Sequence, residues 1–423
     1  MSGRQRVEAL FRAPGRRWSG IALLAPVLLA VGLDLCFTLQ SDATIYHQYV
    51  NQALASPIFH ALPKEYPVAA LGLFLVPLLL PLPYVAGFAV LAVVATLVLL
   101  LCSDGLPAFP GWPRRTAIYL LVGSAAIVFG RYDIFAALTA FLAVESARRD
   151  RWGRAWAWAV VGGLLKLFPL LLLPGFLLAE HARTGRWPIR RVGAACIPFA
   201  LVAGVQSAVS PGSVLSPLLY ESRRGFEVES LAGGLTLLAA PSRVKFIFAY
   251  SSREIVGPYH TAISLLVTAA MLAGLIAIWR LAAQRRLSLE ACSLAVLTVA
   301  VLGDKAFSTQ YLIWLVPFWA YWPLRRGWLA AAALTTLVYP FLFIEAALVG
   351  HGFYPATAAS LVRNVVLIVA TARWLHDQLR TPEVAARERL ENPYHGLVDG
   401  TPPVLDAGRY APEPRAAPLP SGL

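Results

Sequence analysis

Charged residues are scarce in this 423-residue chain, where Asp, Glu, Lys and Arg together make up 14% of the sequence. A soluble domain carries about 25% charged residues, so this chain has too few to cover a water-facing surface. Hydrophobic residues reach 58%, and they come in blocks long enough to cross a bilayer, which takes about 20 residues per helix. The composition excludes an ordinary soluble protein and predicts an integral membrane protein.

Cysteine and the common cofactor motifs are also scarce or missing. The four cysteines lie far apart at Cys36, Cys102, Cys196 and Cys292, so neither a zinc site nor a disulfide framework is indicated. The chain has no Walker phosphate loop, no Rossmann glycine fingerprint and no Asp-x-Asp pair, and no His, Cys and carboxylate cluster has metal-ligand spacing. We therefore expect no metal or cofactor, and a substrate that comes from the membrane or the outer side.

Basic residues exceed acidic ones, which gives a formal net charge of +13. The arginines stand between apolar blocks, where they are typical topology signals and contacts to lipid headgroups rather than a nucleic-acid site. The first block, 19–39, lacks a small-residue cleavage site, which predicts a retained helix after a basic cytoplasmic segment, 1–18.

Placing every arginine cluster in the cytoplasm predicts an all-α protein of about twelve crossings with both ends inside. The crossings fall near 19–39, 84–102, 116–130, 134–147, 155–165, 167–180, 191–209, 260–280, 288–303, 311–324, 328–347 and 359–374. The transmembrane domain would extend over 19–376, with outer loops near 40–66 and 210–259 and a disordered cytoplasmic tail over 377–423.

Two apolar stretches are predicted not to be crossings. Residues 68–80 would form a short embedded helix that ends at Pro81 and Pro83. Leu231–Ala240, in the second outer loop, would lie on the membrane surface.

Several predicted helices are too short to span the bilayer. A 14-residue helix is about 21 Å long, against a hydrocarbon core of about 30 Å. Arg131 and Asp133 lie between the predicted helices 116–130 and 134–147, and Lys166 lies between 155–165 and 167–180. Charges at that depth are costly and usually face a cavity, which predicts an outer-leaflet cavity. The alternative is an internal ion pair, such as Lys166 with Asp133.

The outer loops carry further candidate residues. Asp42 and Glu65 lie where the chain leaves and re-enters the membrane, and either carboxylate is suited to act as a general base, unless both are simply solvated. The pair Arg223–Arg224 lies on the side where positive charge is depleted, which predicts binding of a phosphate, or pairing with Glu227 or Glu229. Lys305 adds another outer cation, and His351 is a candidate proton carrier.

The order of several short strings resembles one enzyme family. The strings are Asp42-x-x-x-Tyr46, Glu65-Tyr66-Pro67, Arg131-Tyr132-Asp133, Lys166-Leu-Phe-Pro169, Arg224-Gly225 with Glu229-Ser230, and Lys305-x-Phe-Ser-x-Gln310-Tyr311. Over about residues 20–375 the chain is similar to actinobacterial polyprenyl-phosphate-mannose-dependent α-mannosyltransferases, which have the GT-C membrane fold. It departs from their pattern where Val68 follows Pro67 and where Gly130-Arg131-Tyr132-Asp133 forms a helix apex.

The resemblance implies a plasma-membrane enzyme that transfers a sugar on the extracytoplasmic side, with inversion, from a polyprenyl-phosphate donor to a glycolipid or glycan. It implies that Asp42 is the base. The expected donor-phosphate ligands are Arg131, Lys166, Arg223, Arg224 and Lys305. The expected sugar or acceptor ligands are Tyr46, Glu65, Tyr66, Asp133, Glu229, Gln310, Tyr311 and His351. The rival functions are a lipid-linked sugar flippase or transporter, and a transferase of another sugar such as arabinose.

Overall fold

The computed structural model describes residues 42–55, 66–102, 111–209, 214–349 and 352–380. Several sequence-based expectations fall outside these ranges: the predicted first crossing at 19–39, Glu65, His351 and the tail beyond Arg380.

Helices make up most of the described chain. In chain order they are α1 (Ala43–Ala55), α2 (Ala70–Leu75), α3 (Tyr84–Cys102), α4 (Trp112–Ser124), α5 (Asp133–Arg148), α6 (Trp152–Leu165), α7 (Leu173–Thr184), α8 (Ile189–Val209), α9 (Ser216–Arg223), α10 (Leu231–Ala239), α11 (His260–Ala283), α12 (Leu289–Gly303), α13 (Leu312–Trp319), α14 (Arg326–Thr336), α15 (Phe343–Val349) and α16 (Tyr354–Arg380). Short 3₁₀ turns cover Val76–Leu79, Phe168–Leu172, Pro241–Arg243 and Thr309–Tyr311, and a π-helical segment, Leu337–Leu342, joins α14 to α15.

Five helical stretches among the described residues are long and apolar enough to cross a membrane. They are Tyr84–Cys102, Ile189–Ala208, His260–Ala283, Arg326–Leu348 and Tyr354–Arg380, of 19 to 27 residues each. Since about 20 residues span a bilayer, the prediction of a helical membrane protein is confirmed to this extent. The count of twelve crossings stays a prediction.

Short, interrupted helices lie between the long ones. The 70–79 stretch ends before Pro81 and Pro83, and α3 begins at Tyr84. The helix α6 ends at Leu165, Lys166 is extended with φ of −151°, and Pro169 lies inside the following 3₁₀ turn. Proline lacks the N–H that would continue the helical hydrogen bonds, so the chain is redirected next to Lys166.

A small antiparallel sheet lies in the predicted second outer loop. Its strands, β1 (Phe226–Glu227), β2 (Lys245–Ala249) and β3 (Ser252–Val256), are ordered β1-β3-β2. The strand β3 pairs with both neighbours, for example Ile255 with Phe226 and with Phe246. The described chain is mostly helical, which is consistent with the predicted all-α membrane protein, and this one three-stranded sheet is an addition that the sequence did not predict.

The helix α10, which the sequence predicts on the membrane surface, packs against neighbouring parts of the chain. Ser230 caps it by accepting a hydrogen bond from the Gly233 N–H at 2.9 Å, as N-cap serines do. Ala232, Thr236 and Leu237 are buried. The tight packing of Gly234 against the Leu361 side chain sets α10 directly on α16. The apolar run is explained by burial against neighbouring helices.

The main hydrophobic core is formed by α3 to α7 together with α11 to α14 and α16. A second buried cluster of α1, α2 and α3 is rich in aromatic rings. In it Tyr46 stacks on Phe74 with centroids 4.4 Å apart and meets Tyr132 edge-on at 5.7 Å. Ring pairs of this kind are preferred geometries, and they fix the beginning of α1, where Asp42 lies, against the turn before α5.

Candidate active site

A cavity of about 830 Å³ brings together segments that are distant in the sequence. Its walls come from the beginning of α1, the turns before α5 and after α6, the chain around β1, the β2–β3 hairpin, one side of α11, and the segment that joins α12 to α13. A space of this size falls in the range of small-molecule and cofactor pockets, roughly 300–1,000 Å³. The cavity is therefore the candidate functional site.

Asp42 lies at one side of the cavity in an ion pair with Arg131. The Tyr46 hydroxyl lies 3.5 Å from the same carboxylate oxygen, Oδ2. Burial raises the pKa of the Asp42 carboxyl above its ordinary value, while the Arg131 guanidinium opposes that rise. A buried carboxylate of raised pKa at the wall of a cavity is suited to accept a proton.

Lys166 lies at the cavity wall and is held by an acid and three aromatic rings. Its Nζ donates to Asp133 Oδ1 at 2.7 Å, and the Trp314 indole N–H donates to the same oxygen at 2.6 Å. The ammonium lies 5.1, 4.7 and 4.8 Å from the ring centroids of Tyr132, Tyr311 and Trp314, within cation–π distance. Lys166 is thus fixed in position while part of its side chain remains exposed to the cavity.

Arg224 and Lys305 form a second basic group. Arg224 donates to Glu227 Oε2 at 2.6 Å and to the Ser252 hydroxyl at 2.8 Å. Lys305 Nζ donates to the backbone carbonyl of Arg224 at 2.8 Å. Burial raises the pKa of the Glu227 carboxyl, against the opposing effect of Arg224. The Arg224 pairing that the sequence left open is therefore made with Glu227, and the guanidinium still lines the cavity.

Two buried residues of α16 that the sequence analysis did not name support the cavity wall. Arg363 donates to the Glu229 backbone carbonyl at 2.7 Å, and Asn364 donates to the same oxygen at 3.1 Å. The Arg363 guanidinium also lies 4.2 Å from the Phe307 ring centroid. Glu229 Oε2 in turn accepts from the Thr309 N–H at 2.6 Å. An arginine inside a predicted crossing was the available signal, since charges at that depth are rarely incidental.

The cavity also has an apolar part. On α11, Val267, Met271 and Leu275 recur at helical spacing along its wall, and Leu171 and Ala300 face them from other segments. The helix α11 is one of the five long enough to span a membrane. Because the apolar part follows a membrane-spanning helix, it is suited to hold a hydrocarbon chain whose polar end reaches the charged residues.

The predicted site residues divide into three groups. Those that line the cavity are Asp42, Tyr66, Arg131, Lys166, Arg224, Glu229, Lys305, Gln310 and Tyr311. Tyr46, Asp133 and Arg223 do not line it: Tyr46 and Asp133 are buried behind the wall, and Arg223 is exposed at the end of α9. Glu65 and His351 lie outside the described residues.

The cavity presents polar atoms for a ligand. The side-chain carbonyl of Gln310 is buried and has no hydrogen-bond partner in the part of the chain that the structure describes. Such an orphaned acceptor is costly and is suited to a ligand hydroxyl. No group of three or more His, Cys, Asp or Glu side chains among the described residues is arranged to hold a metal ion. The arrangement offers an acidic proton acceptor and fixed cations around one space.

Comparisons with protein-family models, with curated proteins and with solved structures find no match to this chain.

Proposed function

We propose that this chain is a membrane glycosyltransferase that moves a mannosyl or related residue from a polyprenyl-phosphate donor to a glycolipid or cell-envelope glycan, on the extracytoplasmic side of the plasma membrane. One observation carries the proposal: a single cavity joins Asp42, several fixed cations and an apolar part that follows α11. A donor of this class has the matching parts, namely a sugar, a charged phosphate and a long hydrocarbon chain.

The donor phosphate binds near Lys305 and Arg224, and Lys166 lines the same cavity. As the bond between the anomeric carbon and the phosphate oxygen breaks, negative charge grows on the departing lipid phosphate. Cations that are already fixed in position stabilise that charge without reorganising. Lys166 is fixed by Asp133 and three rings, so it meets this requirement.

Asp42 serves as the general base. Its Oδ1 takes the proton of the acceptor hydroxyl while that oxygen forms its bond to the anomeric carbon from the side opposite the phosphate, which inverts the configuration. Arg131, paired with Oδ2, holds the carboxylate in one orientation. Confining both reactants in one cavity lowers the entropic cost of their meeting.

Sugar hydroxyls are held by polar side chains around the same space. Gln310, with its orphaned carbonyl, accepts from one hydroxyl, and Tyr66 and Glu229 line the neighbouring wall. Ligand sites commonly combine an apolar lining with a few polar groups that fix orientation.

The direct test is transfer by the purified full-length chain. Protein in nanodiscs is incubated with radiolabelled polyprenyl-phosphate-mannose and a membrane glycolipid extract. The wild type should transfer label and Asp42→Asn should lose at least about a hundredfold in rate, the range that general-base catalysis supplies. Asp150→Asn is the matched control, because Asp150 is exposed and pairs only with Arg183 at 2.6 Å among the described residues.

Equal transfer by the wild type and by Asp42→Asn would remove the proposed base. Label that moves across the bilayer on intact donor, with no glycolipid product, would favour a flippase. Running polyprenyl-phosphate-arabinose in parallel identifies the transferred sugar, because the carrier is the same and only the sugar differs.

A further inference from the structure

The β2–β3 hairpin forms one edge of the cavity. Its strands pair in register from Lys245 with Val256 to Ala249 with Ser252. The two residues of the turn, Tyr250 and Ser251, have φ of 51° and 56°. A two-residue turn with both φ values positive favours Asn or Gly. A tyrosine in that conformation carries a steric cost, which calls for a role of its side chain outside the turn.

Three aromatic side chains, Tyr220, Phe248 and Tyr250, form an aromatic patch at this edge. All three line the cavity, and Tyr220 meets Tyr250 edge-on with centroids 5.0 Å apart. Phe248 is 64% exposed and Tyr250 is 36% exposed. Exposed aromatic rings on the wall of a polar cavity present their electron-rich faces to whatever enters it.

Polar groups lie directly beside the aromatic patch. The Arg253 guanidinium lies 4.7 Å from the Phe248 ring centroid, so one face of that ring is covered while most of the side chain remains exposed. The hydroxyl of Ser252 is bonded to Arg224 at 2.8 Å, which connects the hairpin to the charged part of the cavity. Ser251 and Arg253 also line the cavity, so hydrogen-bonding groups lie at the same edge of the cavity as the ring.

We propose that the aromatic patch binds the acceptor saccharide, by stacking a pyranose ring on Phe248 while Ser251 and Arg253 bond its hydroxyls. The weakly positive C–H face of a sugar ring matches the negative face of an aromatic ring, and its equatorial hydroxyls reach neighbouring polar groups. The inference rests on the proposed transferase function, since it names the site of the second substrate.

An exposed aromatic tip can also anchor a protein at the membrane interface. Two observations favour a saccharide. The ring lies at a cavity that contains acidic and basic side chains, and the polar guanidinium of Arg253 lies 4.7 Å from its centroid. A hydrocarbon chain cannot form hydrogen bonds with the hydroxyls and the guanidinium at this edge, whereas the hydroxyls of a sugar can bond to both kinds of group.

The test compares Phe248→Ala, Phe248→Leu and Phe248→Tyr in nanodiscs. Binding is measured by saturation-transfer NMR with mannotriose, maltotriose and cellotriose, and KM is measured separately for the donor and the glycolipid acceptor. Stacking needs a ring, so Ala and Leu should each raise the acceptor KM roughly tenfold, with the donor KM unchanged, and Tyr should retain wild-type binding. Phe341→Ala is the matched control, because Phe341 is 55% exposed and does not line the cavity.

The outcomes separate this inference from the transferase proposal. If the wild type transfers sugar but Phe248→Ala keeps its acceptor KM and saturation transfer, the saccharide site is refuted and the transferase stands. If the wild type transfers nothing yet binds a trisaccharide through Phe248, the site stands and the transferase proposal is wrong. If Phe248→Leu restores what Phe248→Ala loses, apolarity alone matters, and membrane anchoring replaces the saccharide site.

Discussion

Replacing Asp133 by asparagine tests whether the Lys166 ion pair holds this part of the structure together. Asp133 is fully buried, and its Oδ1 accepts hydrogen bonds from Lys166 at 2.7 Å and from the Trp314 indole at 2.6 Å. The Asp133→Asn variant keeps the shape and one carbonyl acceptor but removes the negative charge. The partly buried ammonium of Lys166 would then have only aromatic ring faces and a neutral oxygen as its neighbours, with no negative charge beside it.

The expected loss of stability follows from the two hydrogen bonds that Asp133 Oδ1 accepts. A hydrogen bond to a charged group contributes about 1.5–3 kcal/mol, whereas a neutral one contributes about 0.5–1.5 kcal/mol. Changing both bonds from the first kind to the second should lower the free energy of unfolding by about 2–3 kcal/mol. Removing one partner of a buried pair outright costs about 3–5 kcal/mol, which sets the upper limit and is the value we expect for Asp133→Ala.

The assay is the free energy of unfolding from SDS titration in mixed micelles, in a double-mutant cycle with Lys166→Met. The double variant should be less destabilised than the sum of the single ones by about 1–3 kcal/mol. Asp150→Asn should cost less than about 1 kcal/mol, because Asp150 and Arg183 form an exposed pair. Costs that simply add would refute a direct interaction between Asp133 and Lys166.

Two further predictions concern acidity and packing. Since burial raises the pKa of Asp42 and the base must be ionised, transfer should fall with decreasing pH at a pH above the ordinary aspartate pKa of about 3.9. A pH profile of kcat/KM that stays flat to pH 4 would refute this. Gly162→Ala should lower the free energy of unfolding by about 1–3 kcal/mol, because the added Cβ would lie 2.5 Å from Thr139 Oγ1. Gly193→Ala, where the added Cβ meets nothing within 4 Å, should be neutral or stabilising in the same titration, and an equal loss in both variants would contradict the packing argument.

Sequence patterns predicted the local breaks of the chain well, because proline and isolated charges act through nearest neighbours. The isolated charge of Lys166 predicted a break between helices at 155–165 and 167–180, and α6 ends at Leu165. The break at Pro81 and Pro83 was also predicted, and α3 begins at Tyr84. Other boundaries were less accurate: α4 was expected over 116–130 and extends over Trp112–Ser124.

The hydrogen-bond partners of buried side chains could not be predicted from sequence spacing, because they depend on tertiary packing. Nothing in the sequence links Arg363 to the Glu229 carbonyl, which lies 134 positions away. The sheet was missed because β1 has only two residues and the alternation in β2 is weak. The short apolar run of α10 equally fits a membrane-surface helix and a buried one, and spacing alone could not predict its contact with α16.

The alternatives of ion pairing and ligand binding turn out to be compatible at Lys166 and Arg224, because each side chain both pairs with a carboxylate and lines the cavity. Five cationic and four acidic side chains line that space: Arg131, Lys166, Arg224, Arg253 and Lys305 against Asp42, Glu227, Glu229 and Asp304. Burial raises the pKa of all four of these acids, so any proton they hold makes the cavity more positive. Pairing thus keeps the cations fixed and tolerable in a buried space, and they remain at the cavity wall, where they are suited to bind an anionic ligand such as a lipid phosphate.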